Sequence, residues 1–235
     1  MSRESRNSPG RVYFVSGIDT DVGKTVATGL MARWLLSGGT DATTVKMVQT
    51  GCDGVSEDIE VHRAMCGVGR LPEDGEGLSA PQIFRFPSSP SLAARLEGRR
   101  VDMGRIASCV DECARRREVV LVEGAGGLLV PLSDDVLAAD FAAKRGWPLV
   151  LVTCGRLGSV NHTLLSLEAA KSRGMRLAGV VLNWHPAADP AIDADTEREI
   201  RRALVRMDFP AAVVRVPRVV LGETPPDVDF SEIFK

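Results

Sequence analysis

A loop with the composition of a phosphate-binding site follows the first apolar run of the chain. Residues 17–25 read Gly-Ile-Asp-Thr-Asp-Val-Gly-Lys-Thr and come directly after the apolar residues 12–15. Backbone N–H groups in such a loop, and at the start of the helix after it, point at phosphate oxygens. Lys24 would neutralise the β- and γ-phosphates of a nucleotide, and the Thr25 hydroxyl would bind Mg²⁺. A chance Gly-Lys-Thr in a surface turn is the alternative, but the strand before and the helix after favour a phosphate loop.

An acidic residue stands at the end of another apolar run. Glu123 follows the Val-rich residues 119–122 and precedes Gly124-Ala125-Gly126-Gly127. A carboxylate in this position can hold Mg²⁺ directly or through water, and the glycines let a ligand approach the backbone closely. A glycine-rich turn explains the same residues equally well when they are taken alone. The phosphate loop in the same chain favours the metal interpretation.

A lysine and an aspartate could add charge to the same site. Lys46 lies near the end of a third apolar run, just before Gln49-Thr50-Gly51. It is expected to point toward the ligand edge of a sheet and to contact a carboxylate or a phosphate. Asp58 follows in a polar loop, where by itself it would be a helix N-cap.

Two further positions could bind an anion and a base. Gly158 and Ser159 open a predicted helix, and a helix N-terminus attracts anions. His162 in that helix invites a role as general base, although a hydrogen-bonded structural histidine is the stronger interpretation. Asn183 ends another apolar run and could contact a purine edge through its amide. The Asn-Lys-x-Asp motif of regulatory GTPases is absent there, and His62 and His185 are isolated in sequence and receive no role.

Alternating strands and helices must position these residues. Apolar runs predict strands at 12–15, 43–48, 119–122, 148–153, 177–183 and 211–216, and amphipathic patterns predict helices at 25–37, 58–66, 102–117, 135–145, 158–173 and 194–207. This alternation predicts an α/β fold, a mostly parallel sheet with helices on both faces. Ligands bind such sheets beyond the carboxyl ends of the strands, where the residues above lie. Apart from the helix at 58–66, residues 50–90 are predicted as loops over the site, residues 1–11 as a frayed tail, and residues 225–235 have no predicted place.

Composition limits the class of protein. The 235 residues suit one domain, 1–235, with 44% hydrophobic residues. A net charge of −2 provides no basic field for nucleic acid or anionic lipid, and no apolar run approaches the roughly 20 residues that span a bilayer. Five cysteines without a CxxC pair predict neither a disulfide framework nor a zinc finger. Together with the missing secretion signal, this favours a cytoplasmic location.

Taken together, the motifs resemble the dethiobiotin synthetase family, ATP-dependent enzymes of biotin synthesis. The family's loop matches residues 17–25, including the fifth residue between Gly17 and Gly23, where the general phosphate loop has four. Further family motifs match residues 46–51, 89–94, 122–127 with 131–134, and 157–162. The resemblance covers about residues 12–217 and implies a fold of the P-loop nucleoside triphosphate hydrolase type. Met47, Ser91 and Arg156 replace the proline, histidine and lysine that are common in the family.

The resemblance implies a reaction. 7,8-Diaminononanoate, CO₂ and ATP would give dethiobiotin, ADP and phosphate. One amine captures CO₂ as a carbamate, the γ-phosphate activates it as a carbamic–phosphoric anhydride, and the second amine closes the ring. The family also implies a homodimer in which the substrate carboxylate sits at a helix start from the second subunit.

The resemblance also implies roles for individual residues. Lys46 and Lys24 would be catalytic, and Thr25, Asp58 and Glu123 would bind Mg²⁺. ATP would contact Asp21, Val22, Gly23, Lys24, Thr25, Val26, Asp58, Glu123, Gly124, Ala125, Gly126, Asn183 and Pro217. The diamine would contact Thr50, Gly126, Gly127, Gly158, Ser159, Val160 and Asn161.

Three other classes of protein are weighed against this one. Partition or septum-site ATPases carry a second lysine early in the loop, and its place is taken here by Asp19. Amide-forming ligases of cobalamin precursors usually carry a glutaminase domain, for which 235 residues leave no room. A module that only binds nucleotide would need neither the metal-binding acid nor Lys46.

Overall fold

Strands and helices alternate through residues 9–184 and 190–235, which are the residues that the computed structural model describes. The strands are β1 (Arg11–Gly17), β2 (Ala42–Lys46), β3 (Gln49–Thr50), β4 (Ile83–Phe84), β5 (Val119–Gly127), β6 (Leu149–Cys154), β7 (Leu177–Asn183) and β8 (Val213–Val216). The helices are α1 (Lys24–Ser37), α2 (Glu57–Cys66), α3 (Pro72–Gly75), α4 (Pro90–Leu96), α5 (Met103–Arg116), α6 (Ala138–Lys144), α7 (Ser159–Ser172) and α8 (Pro190–Arg206).

Six of these strands form one parallel sheet. Its order is β2-β5-β1-β6-β7-β8, and every pairing is parallel. Successive side chains in a strand point to opposite faces, and all six residues of β6 are buried, so both faces of the sheet are covered. This arrangement confirms the predicted α/β fold with a mostly parallel sheet and helices on both faces.

The strands that follow β1 along the chain lie on both sides of it in the sheet. The chain passes from β1 to β2 and β5 on one side, and from β5 to β6, β7 and β8 on the other. In sheets of this kind the ligand crevice lies where the strand order reverses, beyond the carboxyl ends. The ends of β1, β2 and β7 at Gly17, Lys46 and Asn183 lie at this edge, together with Glu123, which pairs with Lys46.

Most predicted elements are present, with differences at their ends. Strand β5 continues five residues past the predicted end, because Gly17 still pairs with Gly127 after an irregularity in register. Residues 50–90, predicted as loops, contain more regular structure than expected. They hold α3 and the strand β4, which pairs with β3, and α4 begins at Pro90. Proline at the start of α3 and of α4 suits the first turn of a helix.

Both ends of the described chain are better ordered than the sequence predicts. The predicted frayed tail extends too far, because Gly10 donates a backbone hydrogen bond to Ala114 at 2.7 Å and Arg11 begins β1. Its first eight residues lie outside the described part. At the other end, Phe230 and Ile233 are buried, and the ring of Phe234 stacks 5.8 Å from that of Trp34. Among the described helices, none is both long enough and apolar enough to cross a membrane.

Candidate active site

The phosphate loop connects β1 to α1 and is shaped by its last glycine. Gly23 has a φ of +86°, which glycine adopts without strain. A Cβ at this position would collide with the side-chain amide of Asn183. That amide donates to the Val22 carbonyl at 3.1 Å, so Asn183 braces the loop from the end of β7. Asp21, next to Val22, is exposed and has a φ of +57°.

Lys24 lies under the loop rather than in solvent. Its Nζ donates to the carbonyl of Asp19 at 2.8 Å, and the residue is 7% exposed. Burial lowers the pKa of Lys24 from its ordinary value, and the negative charge of Glu123 opposes this shift. Thr25 and Val26 follow in the first turn of α1 and are half-buried.

Lys46 and Glu123 form the centre of the site. Strand pairing places Lys46, the last residue of β2, opposite Glu123 in the middle of β5. The Lys46 ammonium lies 2.8 Å from Glu123 Oε1 and forms an ion pair with Asp58. The Thr25 hydroxyl donates to the same Glu123 oxygen at 3.0 Å. The structure therefore brings together Thr25, Lys46, Asp58 and Glu123, and their roles stay a prediction.

Charge pairing keeps the central residues ionised although they are buried. Burial alone would raise the pKa of Glu123, but the Lys46 charge and the His62 hydrogen bond hold it far below its usual range. Burial would likewise lower the pKa of Lys46, but the charges of Glu123 and Asp58 raise it above its ordinary value. The site thus contains a permanent cation between two carboxylates.

One central residue was missed by sequence reasoning. His62 is fully buried, with Nε2 2.7 Å from Glu123 Oε2 and Nδ1 3.0 Å from the Thr44 hydroxyl. It follows Asp58 by four residues in α2, a spacing that puts both side chains on one helix face. That spacing was the available signal, but it has meaning only once α2 is known to pack against β2 and β5.

The predicted metal ligands have suitable chemistry. Thr25, Asp58 and Glu123 offer a hydroxyl and two carboxylates, the oxygen donors that Mg²⁺ prefers. No group of three or more His, Cys, Asp or Glu side chains in the described part of the chain is arranged as a metal site by itself. Two carboxylates fit an ion that keeps several waters and takes its other ligands from nucleotide phosphates.

The glycines after Glu123 lie against the phosphate loop. A Cβ on Gly124 would meet the Phe14 ring at 3.0 Å, and one on Gly127 would meet the Ile18 carbonyl at 3.5 Å. Gly126 has a φ of +65°. Gly126 and Gly127 therefore lie against the phosphate loop, and Gly124 lies against β1, whereas contacts of residues 124–127 with nucleotide and substrate stay a prediction.

The other predicted contacts come from the start of α7, from β3 and from the end of β8. Gly158 caps α7 with a φ of +90°, followed by Ser159, Val160 and Asn161 in the first turn. Arg156, just before this start, pairs with Asp19 of the phosphate loop. Thr50 lies half-buried in β3. Pro217 follows β8 at the edge where Asn183 pairs with Val216.

Comparison with known proteins decides the family. The family model described as "AAA domain" matches residues 11–231. The ATP-dependent dethiobiotin synthetase BioD of Chlorobaculum tepidum is 47% identical over 205 residues, which are 87% of this chain and 86% of that protein. The BioD 2 enzyme of Haemophilus influenzae is 45% identical over 180 residues, 77% of this chain and 94% of the relative. This chain belongs to the dethiobiotin synthetase family.

Solved structures agree on the fold of this dethiobiotin synthetase family member. The cell division protein ftsY of Thermotoga maritima matches with a TM-score of 0.55 and 16% identity, covering 97% of this chain and 67% of that one. A ParA family ATPase of Chlorobium tepidum matches with a TM-score of 0.52 and 14% identity, covering 89% and 85%. At these identities the likeness concerns the fold alone, and it confirms the predicted P-loop type.

Proposed function

We propose that this chain is an ATP-dependent dethiobiotin synthetase that converts 7,8-diaminononanoate, CO₂ and ATP into dethiobiotin, ADP and phosphate. The observation that carries the proposal is the Lys46 ammonium held between Glu123 and Asp58, beside the phosphate loop. This arrangement puts positive charge where a γ-phosphate and a carbamate would meet. The names of the relatives point to the same reaction.

The phosphate loop would bind and orient the ATP phosphates. Backbone amides of residues 21–26, with Lys24, would contact the phosphate oxygens. Lys24 Nζ now donates to a loop carbonyl, a bond that phosphate oxygens would replace. Because phosphoryl transfer depends mostly on positioning and electrostatics, this clamp would provide much of the rate enhancement.

Thr25, Asp58 and Glu123 would hold Mg²⁺ together with ATP. The ion supplies charge neutralisation at the transferring phosphoryl group. Lys46 pairs with both carboxylates and would keep their oxygens turned toward the site.

Lys46 would act as a fixed charge and not as a base. Its raised pKa, caused by Glu123 and Asp58 in spite of burial, keeps the ammonium protonated. An ammonium has only donors to offer, so it would stabilise the negative carbamate and the phosphorylated carbamate. Thr50, Gly126 and Gly127 would then hold the two amines so that the second closes the ring.

The start of α7 would bind the substrate carboxylate. Within the described residues, the buried hydroxyl of Ser159 and Nδ1 of His162 have no hydrogen-bond partner. A helix N-terminus and an unpaired hydroxyl suit an anion. In a homodimer, residues 158–161 of one subunit would complete the site of the other.

Asn183 and Pro217 would contact the adenine. The Asn183 amide nitrogen already donates to Val22, so its carbonyl oxygen is the atom that would accept from the exocyclic amine of adenine. We infer that the described residues form a single ligase domain, because six strands share one sheet, and that the enzyme works in the cytoplasm.

An omission assay tests the proposal. Purified protein is mixed with diaminononanoate, bicarbonate, Mg²⁺ and ATP, and each component is left out in turn. ADP and dethiobiotin, the latter identified by mass spectrometry, are expected in equal amounts only in the complete mixture. ADP release that does not depend on the diamine, without dethiobiotin, would reject the proposed reaction.

A further inference from the structure

A line of buried hydrogen bonds reaches the side of Glu123 that faces away from the phosphate loop. Arg63 Nη1 donates to the Thr44 hydroxyl oxygen at 2.9 Å, which lies 3.0 Å from His62 Nδ1. His62 Nε2 lies 2.7 Å from Glu123 Oε2. The four side chains are buried, and the line ends on the carboxylate oxygen that contacts neither Thr25 nor Lys46.

The chemistry of the donors gives this line a direction. A guanidinium can only donate, so the Thr44 oxygen accepts from Arg63, and its own proton is available for donation to His62 Nδ1. Nδ1 then accepts, which leaves the ring proton on Nε2. A carboxylate can only accept, so Nε2–H donates to Glu123. In this assignment every polar atom of the line has the partner that it requires.

The first member of the line is itself held in place. Arg63 donates to both carboxylate oxygens of Asp74, at 2.9 and 2.7 Å, and to the Ser79 hydroxyl at 3.2 Å. A bidentate guanidinium–carboxylate pair fixes the orientation of the guanidinium more strongly than a single hydrogen bond does. Helix α3, which carries Asp74, therefore anchors a line that ends in the candidate active site.

We propose that Arg63, Thr44 and His62 form a directional hydrogen-bond chain that orients the Glu123 carboxylate, with His62 as a positioning residue. The last torsion of a glutamate rotates through a broad range, so one fixed oxygen is needed to fix the other. With Oε2 held by His62, Oε1 remains directed at Thr25 and Lys46. The consequence for Mg²⁺ and catalysis rests on the proposed function, whereas the chain itself does not.

The position of the histidine proton tests the direction. The chain has three histidines, so nitrogen-15 labelling of histidine gives a spectrum in which each ring can be followed. The His62 signals are assigned by their loss in His62→Gln, or by exclusion with His162→Gln and His185→Gln. In the neutral ring we expect the His62 proton on Nε2. A proton on Nδ1, or on both nitrogens, would overturn the directional chain.

Two neighbouring threonines provide a matched pair for the chain. Thr43 and Thr44 are both buried in β2, but the Thr43 hydroxyl has no hydrogen-bond partner among the described residues. We expect Thr44→Val to alter the His62 spectrum and to weaken the binding of Mg²⁺ in the presence of a non-hydrolysable ATP analogue, measured by calorimetry. Thr43→Val should change neither. If Thr43→Val and Thr44→Val gave the same His62 spectrum and the same Mg²⁺ affinity, Thr44 would not act through His62.

Substitutions of His62 test the link to Glu123. The amide nitrogen of glutamine is as many bonds from Cα as Nε2 of histidine, whereas that of asparagine corresponds to Nδ1. His62→Leu and His62→Asn should weaken Mg²⁺ binding about 10–100-fold and lower kcat, and His62→Gln should recover much of both. The diamine KM should change little. Thermal melting reports folding, and if His62→Leu does not fold, the comparison of glutamine with asparagine decides.

The outcomes separate the two proposals. Mg²⁺ affinity that is the same in all folded His62 variants and in the wild type would overturn the positioning role. Absence of dethiobiotin in the wild type, with intact binding and the expected His62 proton, would reject the proposed function alone.

Discussion

Lys46 and Glu123 stand opposite each other on neighbouring parallel strands and form a 2.8 Å ion pair that is closed to solvent. The register of β2 and β5 therefore sets the geometry of the site before any ligand binds. A pair of this kind costs desolvation energy, so its presence points to a role in function more than to stability.

Substitution of Lys46 should lower both the free energy of unfolding and the turnover. Lys46→Met leaves Glu123 buried without its cation, a change that typically costs about 3–5 kcal/mol. We expect a large loss of turnover and a lower midpoint in urea unfolding. The double variant Lys46→Met with Glu123→Leu should regain stability without regaining turnover. If the single variant is as stable as wild type, the pair is not closed to solvent as the structure has it.

The depressed pKa of Glu123 predicts a pH dependence with a definite sign. A group whose pKa is lower in the folded state adds stability above its unfolded pKa, about 4.3 for Glu, and this stability is lost as pH falls through the folded pKa. The free energy of unfolding of wild type should therefore fall more on acidification below that value than that of Glu123→Gln. Urea unfolding of both proteins from neutral to acidic pH measures the difference. If the free energies of unfolding of the two proteins changed in parallel with pH, the ionised, paired state of Glu123 would be contradicted.

Lys24 should be needed for turnover and dispensable for folding. Lys24→Met removes a hydrogen bond to the Asp19 carbonyl, worth about 0.5–1.5 kcal/mol, together with the charge that would meet the phosphates. We expect kcat to fall by about 10²–10³ or more, as when other transition-state donors are removed. Lys144→Met, at an exposed position, is the control and should remain active. ADP release and circular dichroism measure the two effects.

Gly23 and Gly39 have similar backbone angles but different surroundings. Substituting each by alanine therefore distinguishes the cost of backbone strain from the cost of a steric clash. Gly23 and Gly39 have φ values of +86° and +82°, but only Gly23 would place a Cβ against Asn183, whereas Gly39 has open space around it. Gly39→Ala should cost about 1–2 kcal/mol through the left-handed backbone alone. Gly23→Ala should cost more and should weaken binding of a fluorescent ATP analogue. Similar effects on both stability and binding would show that Asn183 does not brace the loop.

The polar C-terminal segment should contribute strongly to stability. Phe230 is fully buried, and a buried Phe→Ala change costs about 3–5 kcal/mol. Leu221→Ala, at a residue that is 59% exposed in the same part of the chain, should change stability by less than about 0.5 kcal/mol. Thermal melting of both variants checks this. Equal melting temperatures would place Phe230 outside the core.

Sequence reasoning found the residues whose position follows from local pattern. Lys46, Glu123 and Asn183 end apolar runs, and the carboxyl ends of parallel strands share one edge of a sheet. Thr25 and Lys24 follow from a loop motif with a strand before it and a helix after it. These parts of the site needed only the order of the elements.

The rest depends on packing between distant segments. His62 gains its partners only because α2 packs against β2 and brings the imidazole to Glu123 of β5, and no short pattern in the sequence encodes that contact. Phe230 and Ile233 lie in a stretch rich in proline and aspartate, so their burial against the sheet could not be read locally. Strand β4 pairs with β3 over two residues, too few for an alternation to stand out.

The packing of Phe234 affects how the protein folds during its synthesis on the ribosome. Its ring meets Tyr13 edge-on at 5.0 Å and stacks on Trp34, residues of the first strand and the first helix. Contacts between such distant parts of a chain slow folding, because a long loop must close before they form. During synthesis on the ribosome, the first strand and helix emerge long before residues 230–234. Their aromatic surface therefore stays uncovered until residues 230–234 have also left the ribosome, and the nascent chain is expected to need protection from aggregation during that interval.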